Sequence, residues 1–232
     1  MAVFAIADLH LSGTQEKSMD IFGKNWENHG EKIATHWNSI ITKEDVVLIP
    51  GDISWAMKLE EAAQDFLYLG ALPGTKVLLR GNHDYWWTSI NKVRRALPPN
   101  TFALQNDAFI LPDGTAICGT RGWVTPGSTA YGKDEEKIYN REIGRLRLSL
   151  EDAKRKGAPI RVVMMHYPPF SERQRVNGFT QLYREYGVKL VLYGHLHGIP
   201  KGGCFEGEQD GVLYRMVSSD YINFCPIKIQ DI

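Results

Sequence analysis

Five short apolar runs of the sequence end in acidic, amide or imidazole side chains. In chain order these ends read Asp8-Leu9-His10, Gly51-Asp52, Gly81-Asn82-His83-Asp84, His166 and Gly194-His195-Leu196-His197. Aliphatic and β-branched runs of this length are typical of buried strands, and longer amphipathic stretches separate them. Ligands of open α/β sheets bind beyond the carboxyl ends of the strands. The pattern therefore predicts an α/β fold in which five distant segments meet at one site.

The same alternation gives the expected elements. Predicted strands are Val3–Ile6, Val46–Ile49, Val77–Leu79, Ala116–Cys118, Val162–Met165, Lys189–Leu192 and Leu213–Val217. Predicted helices are Glu31–Ile41, Leu59–Leu69 and Glu135–Lys156. Three long loops rich in turn formers are candidates for substrate recognition, namely Gly119–Lys133, Tyr167–Gly178 and Gly198–Gly211. The length of 232 residues suits one α/β domain, and we expect residues 1–232 to form a single domain.

The spacing of the polar residues favours a metal site. Alternate side chains of an extended chain point the same way, so Asp8 and His10 can reach one ion. The final histidine pair has the same spacing. Two divalent ions about 3.5 to 4 Å apart need a shared anionic ligand, for which Asp52 is the natural bridge. One such residue alone is more often a hydrogen-bonded turn residue, but five groups at five strand ends favour metal binding.

Charge and cysteine content narrow the class of partner and compartment. The 27 basic and 27 acidic residues leave no net charge, which argues against nucleic acid or an anionic membrane as the partner. No apolar stretch resembles a signal peptide or a transmembrane helix. Cys118, Cys204 and Cys225 are odd in number and outside any C-x-x-C pattern, which is typical of unpaired thiols. We therefore expect a cytoplasmic protein.

The ordered motifs D-x-H, G-D, G-N-H-D, a lone H and G-H-x-H resemble those of the calcineurin-like metallophosphoesterases. They span positions 8 to 197. The resemblance implies a four-layer αββα sandwich, with two mixed β-sheets flanked by helices and a dimetal site at the carboxyl ends of strands. It implies that one ion is held by Asp8, His10, Asp52 and His197, and the other by Asp52, Asn82, His166 and His195. Oxygen and imidazole ligands without thiolate are compatible with manganese, iron or zinc, among which we expect manganese or iron.

The resemblance also implies an activity, which is hydrolysis of phosphate esters. Two such ions polarise the phosphoryl oxygens and convert a bridging water to hydroxide, which attacks phosphorus in line. We expect His83 to protonate the leaving oxygen or to stabilise its charge, the alternative being a structural hydrogen bond. Arg121, which opens the longest loop, is a candidate phosphate-binding residue, the alternative being a solvated surface arginine.

Departures from the family pattern narrow the substrate. In the Ser/Thr protein phosphatase branch the second motif continues as G-D-x-x-D-R-G, whereas Trp55 and Ala56 occupy the later Asp and Arg positions here. His83 thus lacks its usual carboxylate partner, and Asp84 is a candidate substitute. We predict a phosphohydrolase acting on monoesters or diesters of a small, nucleotide-like molecule. The alternatives are a Ser/Thr protein phosphatase-like activity and a metal-binding scaffold, and the sequence carries no signal for oligomeric state.

Overall fold

Eleven β-strands build the fold within residues 1–13, 19, 22–171 and 173–229, which are the residues that the computed structural model describes. In chain order the strands are β1 (Val3–Ala5), β2 (Val46–Pro50), β3 (Thr75–Leu79), β4 (Thr101–Leu104), β5 (Phe109–Ile110), β6 (Ala116–Thr120), β7 (Ile160–Met165), β8 (Leu190–Tyr193), β9 (Gly207–Gln209), β10 (Val212–Met216) and β11 (Ile227–Lys228). The α-helices of this part of the chain are α1 (His29–Ile40), α2 (Ala63–Ala71), α3 (Ile90–Ala96), α4 (Lys133–Arg155) and α5 (Gly178–Glu185).

The strands form two mixed sheets. The first has the order β11-β1-β2-β3-β4, in which β1 to β4 are parallel and the edge strand β11 runs antiparallel to β1. The second has the order β5-β6-β7-β8-β10-β9, with four parallel central strands and an antiparallel strand at each edge. The predicted α/β class with two mixed sheets is confirmed.

Side chains along each strand alternate between two apolar cores. Val3 and Ala5 of β1 share one core with Val162 and Met164 of β7, so this core lies between the sheets. Phe4 belongs to the other core, which contains the buried faces of the helices. Because successive strand residues point to opposite faces, the two cores separate four layers. The order of layers is helix, sheet, sheet and helix, as predicted.

The two sheets are joined at one end by backbone hydrogen bonds. Ala7, just beyond β1, donates its N–H to the carbonyl of Val217 at 2.7 Å, and Ser219 donates to the carbonyl of Ala7 at 3.0 Å. The two extensions run parallel, with Ala7 opposite Ser218. Residues that follow β1 are thereby held beside those that follow β10, at the carboxyl ends of the strands.

The sequence patterns predict seven of the strands and three of the helices, and these are confirmed with small shifts of their ends. Helix α2 begins at Ala63, four positions after the predicted start, because residues 59–62 form turns. The patterns do not predict β4, β5, β9, β11, α3 or α5. The predicted loop Gly198–Gly211 contains β9, and the predicted loop Tyr167–Gly178 includes position 172, which is outside the described residues.

Candidate metal centre

The predicted ligand residues follow the carboxyl ends of five parallel strands. They are Asp8 and His10 after β1, Asp52 after β2, Asn82 after β3, His166 after β7, and His195 and His197 after β8. Strands β1 to β3 belong to the first sheet, whereas β7 and β8 belong to the second. The candidate site therefore lies where the ends of both sheets meet.

Four of these seven residues have a left-handed backbone, with φ angles of 59° at Asp8, 44° at His10, 53° at Asp52 and 75° at His195. Such angles cost a residue with a side chain about 1 kcal/mol or more. Hydrogen bonds between segments hold them: the N–H of Asp8 donates to the carbonyl of Gly51 at 2.9 Å, and that of His10 to Asp52 at 3.0 Å. The neighbouring segment, rather than local preference, fixes the direction of these side chains.

Two glycines allow the motif segments to approach this closely. A Cβ atom on Gly81 would lie 2.1 Å from Oδ1 of Asp52 and 2.3 Å from its backbone nitrogen. Gly51 has a φ of 92°, and a Cβ atom there would lie 2.7 Å from Nδ1 of His166. Neither position has room for a side chain, so glycine is needed both before Asp52 in the chain and at Gly81, which packs against Asp52.

Asp8, His10 and His197 form a first group of candidate ligands, with one ligand atom from each lying within 4.8 Å of the others. The Nε2 atoms of the two histidines are 3.2 Å apart. Nε2 of His197 is 3.9 Å from Oδ1 of Asp8, and Nε2 of His10 is 3.7 Å from Oδ2 of Asp52. The structure thus brings together three of the four residues predicted for the first ion.

A second group surrounds His166. Its Nε2 atom is 2.6 Å from Oδ1 of Asn82 and 3.5 Å from Oδ2 of Asp52, and its Nδ1 atom is 3.7 Å from Oδ1 of Asp8. The ring of His195 packs beside that of His166, with centroids 5.0 Å apart. The backbone N–H of His195 donates to the carboxylate of Asp8 at 3.0 Å. All seven predicted ligands thus lie in or against two adjoining groups.

The orientation of His166 tests whether a cation suits the site. Its Nδ1 atom lies 3.1 Å from the carbonyl oxygen of Pro50, which can only accept, so Nδ1 carries the proton. The Nε2 lone pair therefore faces oxygen atoms of Asn82 and Asp52. Lone pairs at these distances repel one another unless a cation lies among them. The donor set, carboxylates, an amide oxygen and imidazoles, is one that first-row divalent metals accept.

Burial sets the protonation of these groups in the metal-free protein. It raises the pKa of Asp8 to about 7 and that of Asp52 to about 6. It lowers the pKa of both His166 and His195 to about 3. The two imidazoles are therefore neutral at pH 7, as metal ligation requires.

Asp220 is a functional candidate that the motifs do not predict. Its Oδ1 atom lies 3.0 Å from Nδ1 of His197, and its Oδ2 atom accepts the N–H of Gly198 at 2.7 Å. Metal-binding histidines usually donate their second ring N–H to such a carboxylate, which fixes the ring. Asp220 follows strand β10 by four positions, so the rule that found the other residues, a polar side chain beyond a strand end, also applies to it.

The carboxylate of Asp84 is directed at backbone N–H groups and not at the ring of His83. Asp84 is fully buried and accepts N–H groups from the backbone of Gly81 and Asp52, among others. The suggested replacement of the missing carboxylate by Asp84 is therefore wrong. Trp55 covers the ring of His83 instead, with centroids 4.6 Å apart, and Nδ1 of His83 is buried without a hydrogen-bond partner in the described chain.

Arg121 is partly buried beside the second group. Its carbonyl accepts the N–H groups of His166 and Tyr167 at 3.1 and 2.9 Å. Its guanidinium lies over the ring of Trp123, 4.5 Å from the ring centre, and Nη2 is 3.3 Å from Oε1 of Glu142. The side chain is only 18% exposed, so it is not the solvated surface arginine of the alternative. Its phosphate-binding role stays a prediction.

The sequence matches a known protein family over most of its length. The family described as calcineurin-like phosphoesterase matches residues 1–198. The chain belongs to this family. This family comprises metal-dependent phosphoesterases that use two metal ions, and the expected resemblance is confirmed.

Two solved structures share the fold. The phosphopantetheinyl hydrolase PptH from Mycobacterium tuberculosis superposes with a TM-score of 0.61 at 15% identity, over 100% of this chain and 96% of that one. A protein of unknown function, AQ665 from Aquifex aeolicus, superposes with a TM-score of 0.50 at 14% identity, over 98% and 95%. At such identities the likeness is one of fold.

A curated relative matches a shorter segment. The gene 66 protein of Mycobacterium phage L5 is 31% identical over 78 residues, which are 34% of this chain and 37% of that protein. The match thus covers little more than a third of either protein. Among the described residues, no helix is long and apolar enough to cross a membrane.

Proposed function

We propose that this phosphoesterase uses a dinuclear metal centre to hydrolyse monoesters or diesters of phosphate on a small organic molecule. The position of Asp52 carries the proposal. Its Oδ2 atom is 3.7 Å from Nε2 of His10, in the first group, and 3.5 Å from Nε2 of His166, in the second. One carboxylate facing both groups is what a bridging ligand between two close ions requires.

The assignment of ligands follows the two groups. Asp8, His10, Asp52 and His197 would hold one ion, and Asp52, Asn82, His166 and His195 the other. The nitrogen and oxygen donors are compatible with manganese, iron and zinc, and we propose manganese or iron, with zinc as the alternative. Bound ions would supply Lewis acidity and a nucleophilic hydroxide near neutral pH. The protein supplies the fixed positions, through glycines and left-handed backbone that leave the ligands little freedom to move.

His83 is the proposed proton donor to the leaving group. Its backbone N–H donates to Oδ1 of Asp52 at 2.8 Å, which ties the residue to the bridging carboxylate. Its ring lies between Trp55 and Tyr85, with centroids at 4.6 and 6.1 Å, and 5.8 Å from the ring of His10. This position, next to the ligands but outside both groups, suits a residue that acts on the departing oxygen.

The substrate class rests on Trp55 and Ala56. Trp55 stacks on His10, with ring centroids 4.7 Å apart and an angle of 21° between the planes. Trp55 thus stands at the sequence position where the protein phosphatase branch has an acidic residue, and Ala56 stands where that branch has an arginine. These residues support a small-molecule ester rather than a phosphoprotein, and the neutral net charge argues against nucleic acid. The name of the neighbour PptH is consistent with phosphoester hydrolysis, but at 15% identity it supplies no substrate.

We also infer the number of domains and the cellular compartment of the protein. Residues 1–232 would act as one catalytic domain. Cys118, Cys204 and Cys225 are free thiols, which suits a reducing compartment, and we infer a cytoplasmic protein on this ground.

Hydrolysis of p-nitrophenyl phosphate and bis(p-nitrophenyl) phosphate with added manganese tests the function. We expect turnover that a chelator abolishes and that Asp52→Asn removes, because the bridging charge is lost. Asp113→Asn, at a turn remote from both groups, is the matched control and should keep full activity. Manganese binding without turnover on either ester would support the scaffold instead, and a preference for phosphopeptides would contradict the use made of Trp55.

A second experiment isolates His83. His83→Asn should lower kcat by about 10² to 10⁴-fold while the metal content of the purified protein stays unchanged. A fast-leaving aryl ester should be affected less than an alkyl ester, because p-nitrophenolate departs without a proton. Equal kcat values for the variant and the unmodified protein on an alkyl ester would remove the catalytic role.

A further inference from the structure

A cavity of about 360 Å³ lies next to the second ligand group. Its wall includes Pro168, which follows Tyr167, and the ring of Tyr167 lies 4.0 Å from that of His195 between centroids. Leu196, which separates the last two predicted ligands, also lines it. The volume falls in the range of small-molecule sites. An ester held at the metal centre would have this cavity beside it.

The three loops expected to recognise substrate build the cavity together. Residues 127–129 come from the first loop, 168–171 with 173 and 175 from the second, and 203–205 from the third. Distant segments that converge beside a reaction centre are typical of specificity sites, because loops carry recognition while the sheets carry the scaffold. The cavity is therefore a candidate for the part of the substrate beyond the scissile phosphate.

Two arginines give the described part of the cavity wall a positive charge. Arg173 and Arg175 line it, and the described lining residues include no aspartate or glutamate. Seven arginines of the described chain have carboxylate partners, namely Arg94, Arg121, Arg145, Arg147, Arg155, Arg161 and Arg184. Arg175 differs, because Nη1 donates to a neutral acceptor, Oε1 of Gln209, at 3.0 Å. Its positive charge is thus available to an anion in a chain that has no net charge.

The guanidinium of Arg175 also packs on aromatic rings. Its Cζ atom lies 4.2 Å from the ring centre of Phe205 and 5.8 Å from that of Phe170. These two rings pack against each other at 5.3 Å and against Tyr214 at 5.8 and 5.0 Å, respectively. A stacked guanidinium presents its N–H groups in a fixed fork, which matches the oxygens of a phosphate.

We propose that this cavity binds a second phosphate group, carried by the organic part of the substrate, and that Arg175 and Arg173 select for it. The inference rests on the proposed phosphoesterase function of the metal centre. The apolar wall of Phe170, Phe205 and Leu196 accommodates the carbon skeleton, and the arginines bind the second anion. The preferred substrates are then bisphosphorylated molecules rather than simple monoesters.

Three adenosine phosphates that differ only in the number and position of their phosphate groups test this proposal. With manganese-loaded protein, kcat/KM is measured for adenosine 3′,5′-bisphosphate, adenosine 5′-monophosphate and adenosine 3′-monophosphate, and for p-nitrophenyl phosphate as the basal activity. We expect the bisphosphate to exceed both monophosphates by about tenfold or more, the value of one charge-assisted pair. Arg175→Gln should abolish that difference and change p-nitrophenyl phosphate turnover less than about twofold. Arg147→Gln, which breaks an exposed pair with Glu185, is the matched control and should retain the preference.

Equal rates for bisphosphate and monophosphates in the unmodified protein would overturn the proposal. So would an Arg175→Gln variant that retains the preference or loses activity equally on all four esters. Calorimetric binding of adenosine 3′,5′-bisphosphate to manganese-loaded protein separates the two hypotheses. Tight binding that depends on Arg175, without hydrolysis of any ester, would support the cavity and refute the phosphoesterase function. Hydrolysis of p-nitrophenyl phosphate without such binding would support the phosphoesterase function and refute the role of the cavity.

Discussion

Replacing Asp84 with asparagine is expected to weaken the whole site through the backbone. The carboxylate of Asp84 accepts five N–H groups and joins the two motif segments. The donors are the backbone of Gly81 at 2.7 Å, Asp52 at 3.0 Å, Ile53 at 2.8 Å and Ser54 at 3.2 Å, and Nε1 of Trp86 at 3.0 Å. Asparagine has one acceptor oxygen, so its NH₂ group would face at least two of these donors.

The magnitude follows from this geometry. Each hydrogen bond to a charged acceptor contributes about 1.5 to 3 kcal/mol, so the loss of two removes about 3 to 6 kcal/mol. Asparagine also avoids the cost of a buried charge near Asp52, which offsets part of the loss. We expect a net decrease of about 3 kcal/mol in the free energy of unfolding. For a chain of this size that corresponds to a melting temperature lower by about 6 to 12 °C.

Urea and thermal unfolding of Asp84→Asn measure this change. Asp134→Asn is the matched control, because the Asp134 side chain, in the first turn of α4, is 85% exposed and pairs with the exposed Lys137. The control should stay within about 0.5 kcal/mol of the unmodified protein. If Asp84→Asn were also within about 1 kcal/mol, the carboxylate would not hold the two segments together, and the reasoning from its five donors would be refuted.

Two further predictions concern metal affinity. Asp220→Asn should raise the manganese Kd by about 10 to 100-fold without unfolding the protein. The amide is an uncharged acceptor, and its NH₂ group must face either the ring of His197 or the N–H of Gly198, both of which now donate to the carboxylate. An unchanged Kd in calorimetric titration would contradict this. Burial raises the pKa values of Asp8 and Asp52 to about 7 and about 6, so protons occupy these carboxyls at lower pH and a metal must displace them. Manganese affinity should therefore decrease as the pH falls from about 7 to about 5, by up to about tenfold per pH unit for each displaced proton. A constant Kd over this range would argue against these carboxylates as ligands.

The sequence predicts the parts of the site that depend on short spacing and strand ends. Asp8 and His10, two positions apart beyond a strand, could be recognised because alternate side chains share a direction. Asp220 follows the same rule, but no spacing to a second polar ligand distinguishes it from an ordinary turn residue. The direction of the Asp84 side chain depends on backbone N–H groups more than 25 positions away in sequence, at Ser54 and Asp52, and no local pattern contains that information.

The missed elements have a similar explanation. Helix α5 begins with a capping box, in which the side chain of Asn177 accepts from Thr180 and that of Thr180 from Asn177, but the turn-like composition before it obscures the start. Strand β11 has two residues and exists because Phe4 and Ala5 of β1 lie opposite it. Short edge strands of this kind are defined by their partner strand rather than by their own apolar period.

The division of the proposed ligands between two sheets has a consequence for the contact between those sheets. Asp8, Asp52 and Asn82 extend from one sheet, and His166 and His195 from the other, so an ion held by both sets would add a link between the sheets besides the backbone bonds at Ala7. After loss of such an ion, the backbone bonds between Ala7 and the segment after β10 would still hold this edge of the sandwich. We therefore expect the bound ions to stabilise the contact between the two sheets at this edge.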